Sequence, residues 1–393
     1  MLMRFLPRTV VVLGFVSLLN DAASEMMTPL LPIFLTMVLG AGPMVVGLIE
    51  GLAEATASVL KLVAGRMADR GWNAKALVIA GYGTSNAARP LIGLALGWWW
   101  VLALRFLDRV GKGIRTAPRD ALIAGAVPAA RRGAAFGFHR SMDHAGAVIG
   151  PLLAYALLAA KVPLQQVFYW SVVPGSLVLL LLIFGVRSLA PAVLPDAGAP
   201  REPLRWRLLD VRLRAMIATA AVLAFAAVPE VFIVLWAKDA GLAVVWIPLL
   251  WALASLGKMI VALPTGVLSD RIGRMPVLVA GLGCRVAILL VLATSAATGV
   301  WVWALFLGYS ASLALTEASE RSLIGDCAPL QFRGTAFGLY HLASGVFLLP
   351  GALLFGAVWE FASAKVAFAM AATITIVAAT ALTVIARRIR HAA

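Results

Sequence analysis

Arg105, Asp108, Arg109, Lys112, Arg115 and Arg119 follow one another at intervals of three, one, three, three and four residues, which keeps them on one face of a helix. Such a stripe can do one of two things. It can form a cationic wall that receives an anionic or carboxylate-bearing solute, with Arg89, Arg140, Glu50 and Glu54 as further binding candidates, or it can be a structural network paired with Glu50, Glu54 and Asp143 on neighbouring helices. Five bases against one acid exceed local neutralisation, which favours the wall. Asp21 and Glu25 are spaced i,i+4, and two carboxylates that close suit reversible protonation, unless Arg89, Arg109 or Arg140 neutralises them. His139 with Asp143, and Arg140 with His144, repeat the same spacing, and a histidine beside a carboxylate is a candidate proton relay. Asp21, Glu25, Asp143, His139 and His144 are therefore the candidates for proton coupling. Glu230 and Lys258 read as an ion pair of structural use.

This chemistry is binding and proton exchange, not bond making. No HExxH, GxSxG or GxxxxGK[ST] sequence is present, and Cys284 and Cys327 have no CxxC or Cys/His spacing. An enzyme, a metal site, a cofactor and direct ATP use are not expected.

The elements that must hold these residues are helices in a membrane. Of 393 residues, 62% are hydrophobic and 13% charged, against roughly 25% charged in soluble domains. Twelve apolar stretches of about twenty residues lie between Pro7 and Ala386, each long enough to cross a hydrocarbon layer about 30 Å thick. The first runs past Asp21 and Glu25 to Leu39, so it reads as a spanning helix and not as a cleaved leader. A charge near the bilayer centre costs on the order of 3 kcal/mol, so the stripe and the acid pairs must face a cavity or partners.

The net charge of +15 is an orientation signal. With the N-terminus in the cytoplasm, most loop arginines, from Arg4 and Arg8 to Arg387, Arg388 and Arg390, fall on the cytoplasmic side, and only Lys161, Lys238 and Lys365 fall outside. Both termini are thus expected to be cytoplasmic, in a multi-pass protein of the inner membrane. The bases contact anionic lipid; a nucleic-acid partner is not expected. Residues 188–211, rich in proline and arginine, read as a linker between bundles at 1–187 and 212–393, with an interfacial helix near Arg205 as one option and a solvated loop as the other.

Those two bundles are copies. GRMADR, from Gly65 to Arg70, recurs as GVLSDR, from Gly266 to Arg271, with Asp69 and Asp270 offset by 201 residues. The same offset aligns Pro128 with Pro329, Arg132 with Arg333, Gly133 with Gly334 and Phe136 with Phe337. Six helices duplicated in parallel, with a site at their interface, are a transporter architecture. The run Gly266, Asp270, Arg271, Gly273 and Arg274 resembles the cytoplasmic gating signature of the major facilitator superfamily, and Gly65, Asp69 and Arg70 resemble its first copy, with Trp72 and Asn73 in place of glycine and a base. Arg105 to Gly111 is similar to that superfamily's fourth-helix motif, with Asp108 and Arg109 replacing glutamine and glycine. Gly146, Gly150 and Pro151 resemble the antiporter motif without its closing glycine pair.

The resemblance covers nearly the whole chain. It implies an all-α membrane protein of twelve transmembrane helices in two pseudo-symmetric six-helix bundles, the major facilitator fold, working by alternating access. The expected function is secondary active transport of a small charged or zwitterionic organic solute, coupled to protons and directed outward, by a monomer. Proton-coupled uptake of an organic anion and a non-transporting membrane sensor are the alternatives.

Overall fold

The computed structural model describes residues 6–69, 73–128, 132–185, 211–327 and 333–391, all of which form helices or the short turns between them. The expected linker, 188–211, lies outside the described residues except for Val211. The helices are α1 (Arg8–Glu25), α2 (Leu31–Ile33), α3 (Pro43–Asp69), α4 (Ala74–Leu91), α5 (Trp98–Gly125), α6 (Arg132–Ala159), α7 (Leu164–Trp170) and α8 (Val172–Gly185) in the first half. The second half has α9 (Val211–Ala226), α10 (Glu230–Asp239), α11 (Ile247–Ile272), α12 (Arg274–Thr294), α13 (Val300–Cys327), α14 (Arg333–Phe361) and α15 (Ala364–His391). Among the described residues, counting α1 with α2, α7 with α8, and α9 with α10 as single passes gives twelve.

Nine stretches among the described residues are long and apolar enough to cross a membrane on composition alone. The three remaining passes are those of α1, α4 and α5, and all three hold charged groups singled out above: Asp21 and Glu25, Arg89, and the stripe. The expected continuous first span is in fact broken. The α-helix stops at Glu25, turns through Met26–Leu30, and resumes as α2 followed by a π-helical turn, Phe34–Val38. Pro29 explains the stop: its ring conflicts with the carbonyl four residues earlier, that of Glu25, and it has no N–H to offer. A matching break separates α9 from α10 before Pro229, and the two helix ends, Glu25 and Ala226, are again 201 residues apart.

By internal contacts the chain divides into two units. The first comprises Met1–Leu39, Thr56–Pro200 and Val245–Ala252; the second comprises Gly40–Ala55, Arg201–Val244 and Leu253–Ala393. Within the first, α1 packs on α6 and α8, and α4 packs on α5 and α8. Within the second, α9 packs on α14 and α15, and α12 packs on α13 and α15. The duplication is therefore one of packing as well as sequence. Val10, Leu13, Val16, Val78, Tyr82, Ile123, Val178 and Leu182 form the first unit's core. Leu213, Ile217, Ile324 and Tyr340, with Leu223, Leu278, Leu282 and Leu382, fill the second.

Lipid tails are as apolar as leucine, so close backbone approach and interhelical hydrogen bonds hold such bundles, not hydrophobic transfer. Two glycine contacts show it. A Cβ on Gly111 would overlap the Gly81 carbonyl, which lets α4 and α5 touch backbone to backbone. Gly146 and Gly150 do the same for α6 against α1, where added carbons would run into the carbonyls of Leu18 and Ala22. Large apolar side chains such as Phe184, Leu180, Ile183 and Val377 project outward, as lipid-facing residues should.

Candidate functional site

The α4–α5 contact positions a buried charge cluster. Asp108 on α5 receives Arg89 Nε from α4 at 3.0 Å, Arg105 Nη1 at 3.5 Å and Arg109 Nε at 3.7 Å. Arg89 also donates through Nη1 to the Asn20 carbonyl oxygen (3.1 Å), to Asn20 Oδ1 (3.0 Å) and to Asn86 Oδ1 (3.1 Å), which ties α1 into the group. Two turns along α5, Arg115 Nη1 donates to Ser85 Oγ at 2.6 Å, its guanidinium sits 4.4 Å from the Tyr82 ring centre, and Ser85 donates to the Asp108 carbonyl oxygen at 2.8 Å. Three arginines thus surround the Asp108 carboxylate, and a fourth, Arg115, reaches the Asp108 backbone carbonyl through Ser85.

Burial changes the meaning of the stripe. Arg89, Arg105, Asp108, Arg109 and Arg115 are all at most 7% exposed. They are packed between helices, where the sequence favoured a wall turned toward solute. Lys112 is half-buried and Arg140 exposed. Glu50 and Glu54 are half-buried on α3, in the stretch counted to the second unit.

A second group lies where α6 crosses α1. Ser17 Oγ donates to Asp143 Oδ1, while His139 Nδ1 lies 4.0 Å and Arg140 Nη1 3.7 Å from the same carboxylate. Asp21, one turn beyond Ser17, has its Cβ against the backbone of Gly146, one turn beyond Asp143, and accepts from Asn20 Nδ2 at 3.1 Å. The glycine pair of the antiporter-like motif, which Pro151 follows directly, is thus what lets the Asp21 and Asp143 turns meet. His144 is half-buried on the next residue of α6. Glu25, at the break, accepts from Trp251 Nε1 at 2.9 Å, and Trp251 lies in the segment counted to the first unit.

The second unit carries its own charges. Lys258 Nζ on α11 pairs with Glu230 Oε2 at 2.8 Å and Oε1 at 3.1 Å, and Ser310 Oγ on α13 donates to Oε1 at 2.6 Å. Tyr309 donates to the Val228 carbonyl oxygen at 2.5 Å, and Tyr340 to Glu320 Oε2 at 3.0 Å. The Lys258 pairing was expected; Ser17, Ser310 and Tyr340 were not singled out, and Trp251, which its sequence position suggests as an interfacial anchor, is instead buried against Glu25. No local pattern flags a serine or tryptophan whose partner is many residues away.

Of the two cytoplasmic signatures, Arg70 lies outside the described residues, as do the side chains of Asp69 and Asp270, while Gly65 and Gly266 sit inside α3 and α11. The second copy shows one physical constraint. Gly273, between α11 and α12, has φ +97°, a conformation that only glycine adopts freely. Arg271 is exposed and Arg274, half-buried, begins α12. Among the described residues no group of three or more His, Cys, Asp or Glu is placed to hold a metal ion.

Comparison with known proteins agrees with this architecture. The profile of the Major Facilitator Superfamily matches residues 13–348. An uncharacterized MFS-type transporter of Methanocaldococcus jannaschii is 31% identical over 368 residues, covering 91% of this chain and 90% of that one. The multidrug resistance protein MdtH of Salmonella newport is 29% identical over 195 residues, 49% of this chain and 47% of MdtH. Among solved structures, the nucleoside transporter NupG superposes with a TM-score of 0.79 at 11% identity, covering 96% of this chain and 99% of NupG. On the duplicated helices, the signatures between them and the family match across most of its length, the chain belongs to the major facilitator superfamily of secondary transporters.

Proposed function

We propose that this transporter exports a small charged or zwitterionic organic solute across the inner membrane in exchange for protons, with both termini in the cytoplasm. The observation that carries the reading is the convergence of Asp21 and Asp143 at the α1–α6 crossing, with His139 and Ser17 on the same carboxylate. Titratable groups this close within a span exchange protons with water on whichever side is open, and an alternating-access bundle converts that exchange into solute movement. The arginines around Asp108 give the first unit a positive potential that favours an anionic portion of the solute. The outward direction draws support from the glycine pair at the α1–α6 contact and from the likeness to MdtH over half the chain. That same arginine cluster favours the second reading, proton-coupled uptake of an organic anion.

The test uses membrane vesicles under an imposed pH gradient and a set of radiolabelled anionic, cationic and zwitterionic solutes. Asp21→Asn, Glu25→Gln and Asp143→Asn should each abolish gradient-driven accumulation while sparing exchange of solute for solute. Full accumulation in all three variants would make these acids structural.

A further inference from the structure

We propose that Glu230, Lys258 and Ser310 form a binding site in the second unit for the charged head of an amino-carboxylate solute, its ammonium on Glu230 and its carboxylate on Lys258. The proposal rests on the transport reading above and narrows the solute class. Three observations carry it.

The first is placement. Glu230 opens α10 directly after the break at Pro229, where the spanning helix is interrupted at the position matching the break after Glu25 in the first unit. Interrupted helices at corresponding positions of two repeats point to ligand sites, because only there is irregular backbone tolerated against a cavity. The Tyr309 hydroxyl donates to the Val228 carbonyl inside this break, so that carbonyl is satisfied without Glu230. The carboxylate is then left to other work.

The second is access. The Glu230 and Lys258 side chains remain 17% and 30% exposed, whereas Asp108 and Arg89 in the first unit are 2% and 3% exposed. That exposure is not toward lipid. Lys258 shares a face of α11 with buried Trp251 and Ala254, while exposed Leu253 and Ile260 project from the opposite face. On α10, Val231 to Ala237 are buried all round, so Glu230 has no lipid-facing side to open onto. The pair therefore meets solvent on an inner face of its unit, with Ser310 on α13 closing the group from a third helix.

The third is charge balance. An empty Glu230–Lys258 pair neutralises itself, so it can sit within a span at modest cost. A zwitterion inserted between the two replaces one internal ion pair by two external ones and leaves the site neutral again. A singly charged solute would break the Glu230–Lys258 pair while replacing only one of its two charges, in a medium that penalises the imbalance. The site thus discriminates by charge pattern, and both its empty and loaded forms remain free to reorient. Ser310 adds a hydroxyl that holds the carboxylate of Glu230 in position as Lys258 turns toward the solute.

The experiment reads binding alone, with no gradient, so that its outcome is separate from that of the coupling test. The purified full-length chain in detergent, at fixed ionic strength, is followed by tryptophan fluorescence during thermal unfolding. The probes are α-amino acids, β-alanine and γ-aminobutyrate, against butyrate and butylamine as single-charge analogues. At least one amino-carboxylate should raise the melting temperature saturably, and the single-charge analogues should not. Glu230→Gln and Lys258→Gln should weaken the response by about tenfold or more, and Ser310→Ala by a smaller factor. Because a single neutralisation breaks the charge balance of the pair, the double variant Glu230→Gln with Lys258→Gln supplies a neutral pair for comparison; it should keep the ligand-free melting temperature and lose the response. No shift with any zwitterion, equal shifts with butyrate or butylamine, or an undiminished response in the double variant would overturn the proposal. A zwitterion response in a chain that fails the coupling test would overturn only the proton reading.

Discussion

At the scale of single residues, Asp108 is the most constrained charge described. It stands at 1% exposure among Arg89, Arg105 and Arg109, and its carboxylate supplies negative charge to three guanidinium groups packed there. Removing one partner of such a group leaves uncompensated charge in a dry interior, at a cost of roughly 3 to 5 kcal/mol. Asp108→Ala should therefore lower the unfolding midpoint of the detergent-solubilised protein far more than Lys112→Gln, whose side chain is only half-buried. Equal midpoints for the two would show that the arginines are neutralised elsewhere. The spacing from Arg105 to Arg115 was legible in the sequence, whereas the inward turn of the stripe onto α4 was not. A helical period says which residues share a face, and nothing about which neighbour that face meets.

At the scale of elements, the chain relies on small residues to bring helices together. Gly146 and Gly150 face the α1 backbone, so Gly146→Val or Gly150→Val should force α6 away from α1, part Ser17 from Asp143, and reduce both the yield of folded protein and transport. Gly137→Ala on the same helix, where an added carbon meets nothing within 4 Å, should leave both near wild type. Comparable losses at positions 137 and 146 would mean that helix flexibility, and not the contact, is at stake. The turn between α11 and α12 gives a second check. Gly273→Ala at φ +97° should cost about 1 kcal/mol or more in unfolding free energy, and an unchanged midpoint would show that the turn relaxes. Pro29 and Pro229 were visible in the sequence, but the first span was read through Pro29 as continuous, because composition reports the length of an apolar run and not its hydrogen bonding.

At the scale of the molecule, orientation follows from where the arginines fall. Both termini and the segment around Ala199 should be cytoplasmic, and Lys161 external. In a Cys284→Ser, Cys327→Ser background, a single cysteine at Lys161 should react with an impermeant thiol reagent on intact cells, and one at Ala199 only after the membrane is opened. The serine background matters because Cys284 is itself exposed. The reverse labelling pattern would invert the topology, and with it the direction assigned to transport.

The sequence by itself determined the membrane class, the all-helical fold, the duplication and its offset of 201 residues, because apolar length, helical period and repetition are properties of local order along the chain. The family followed from the two short signatures between helices. Only the tertiary structure decided which charges are partners. Asp108 closes with Arg89 from another helix, Asp143 with Ser17 across α1, and Glu230 with Lys258 and Ser310 from two more. Those choices depend on the rotation of each helix about its axis, which is set by contacts such as Gly81 against Gly111 that lie 30 residues apart in the chain. Burial then distinguishes charges that spacing leaves merged: Arg105, Asp108, Arg109 and Arg115 are packed away, while the side chains of the Glu230–Lys258 pair in the second unit stay 17% and 30% exposed.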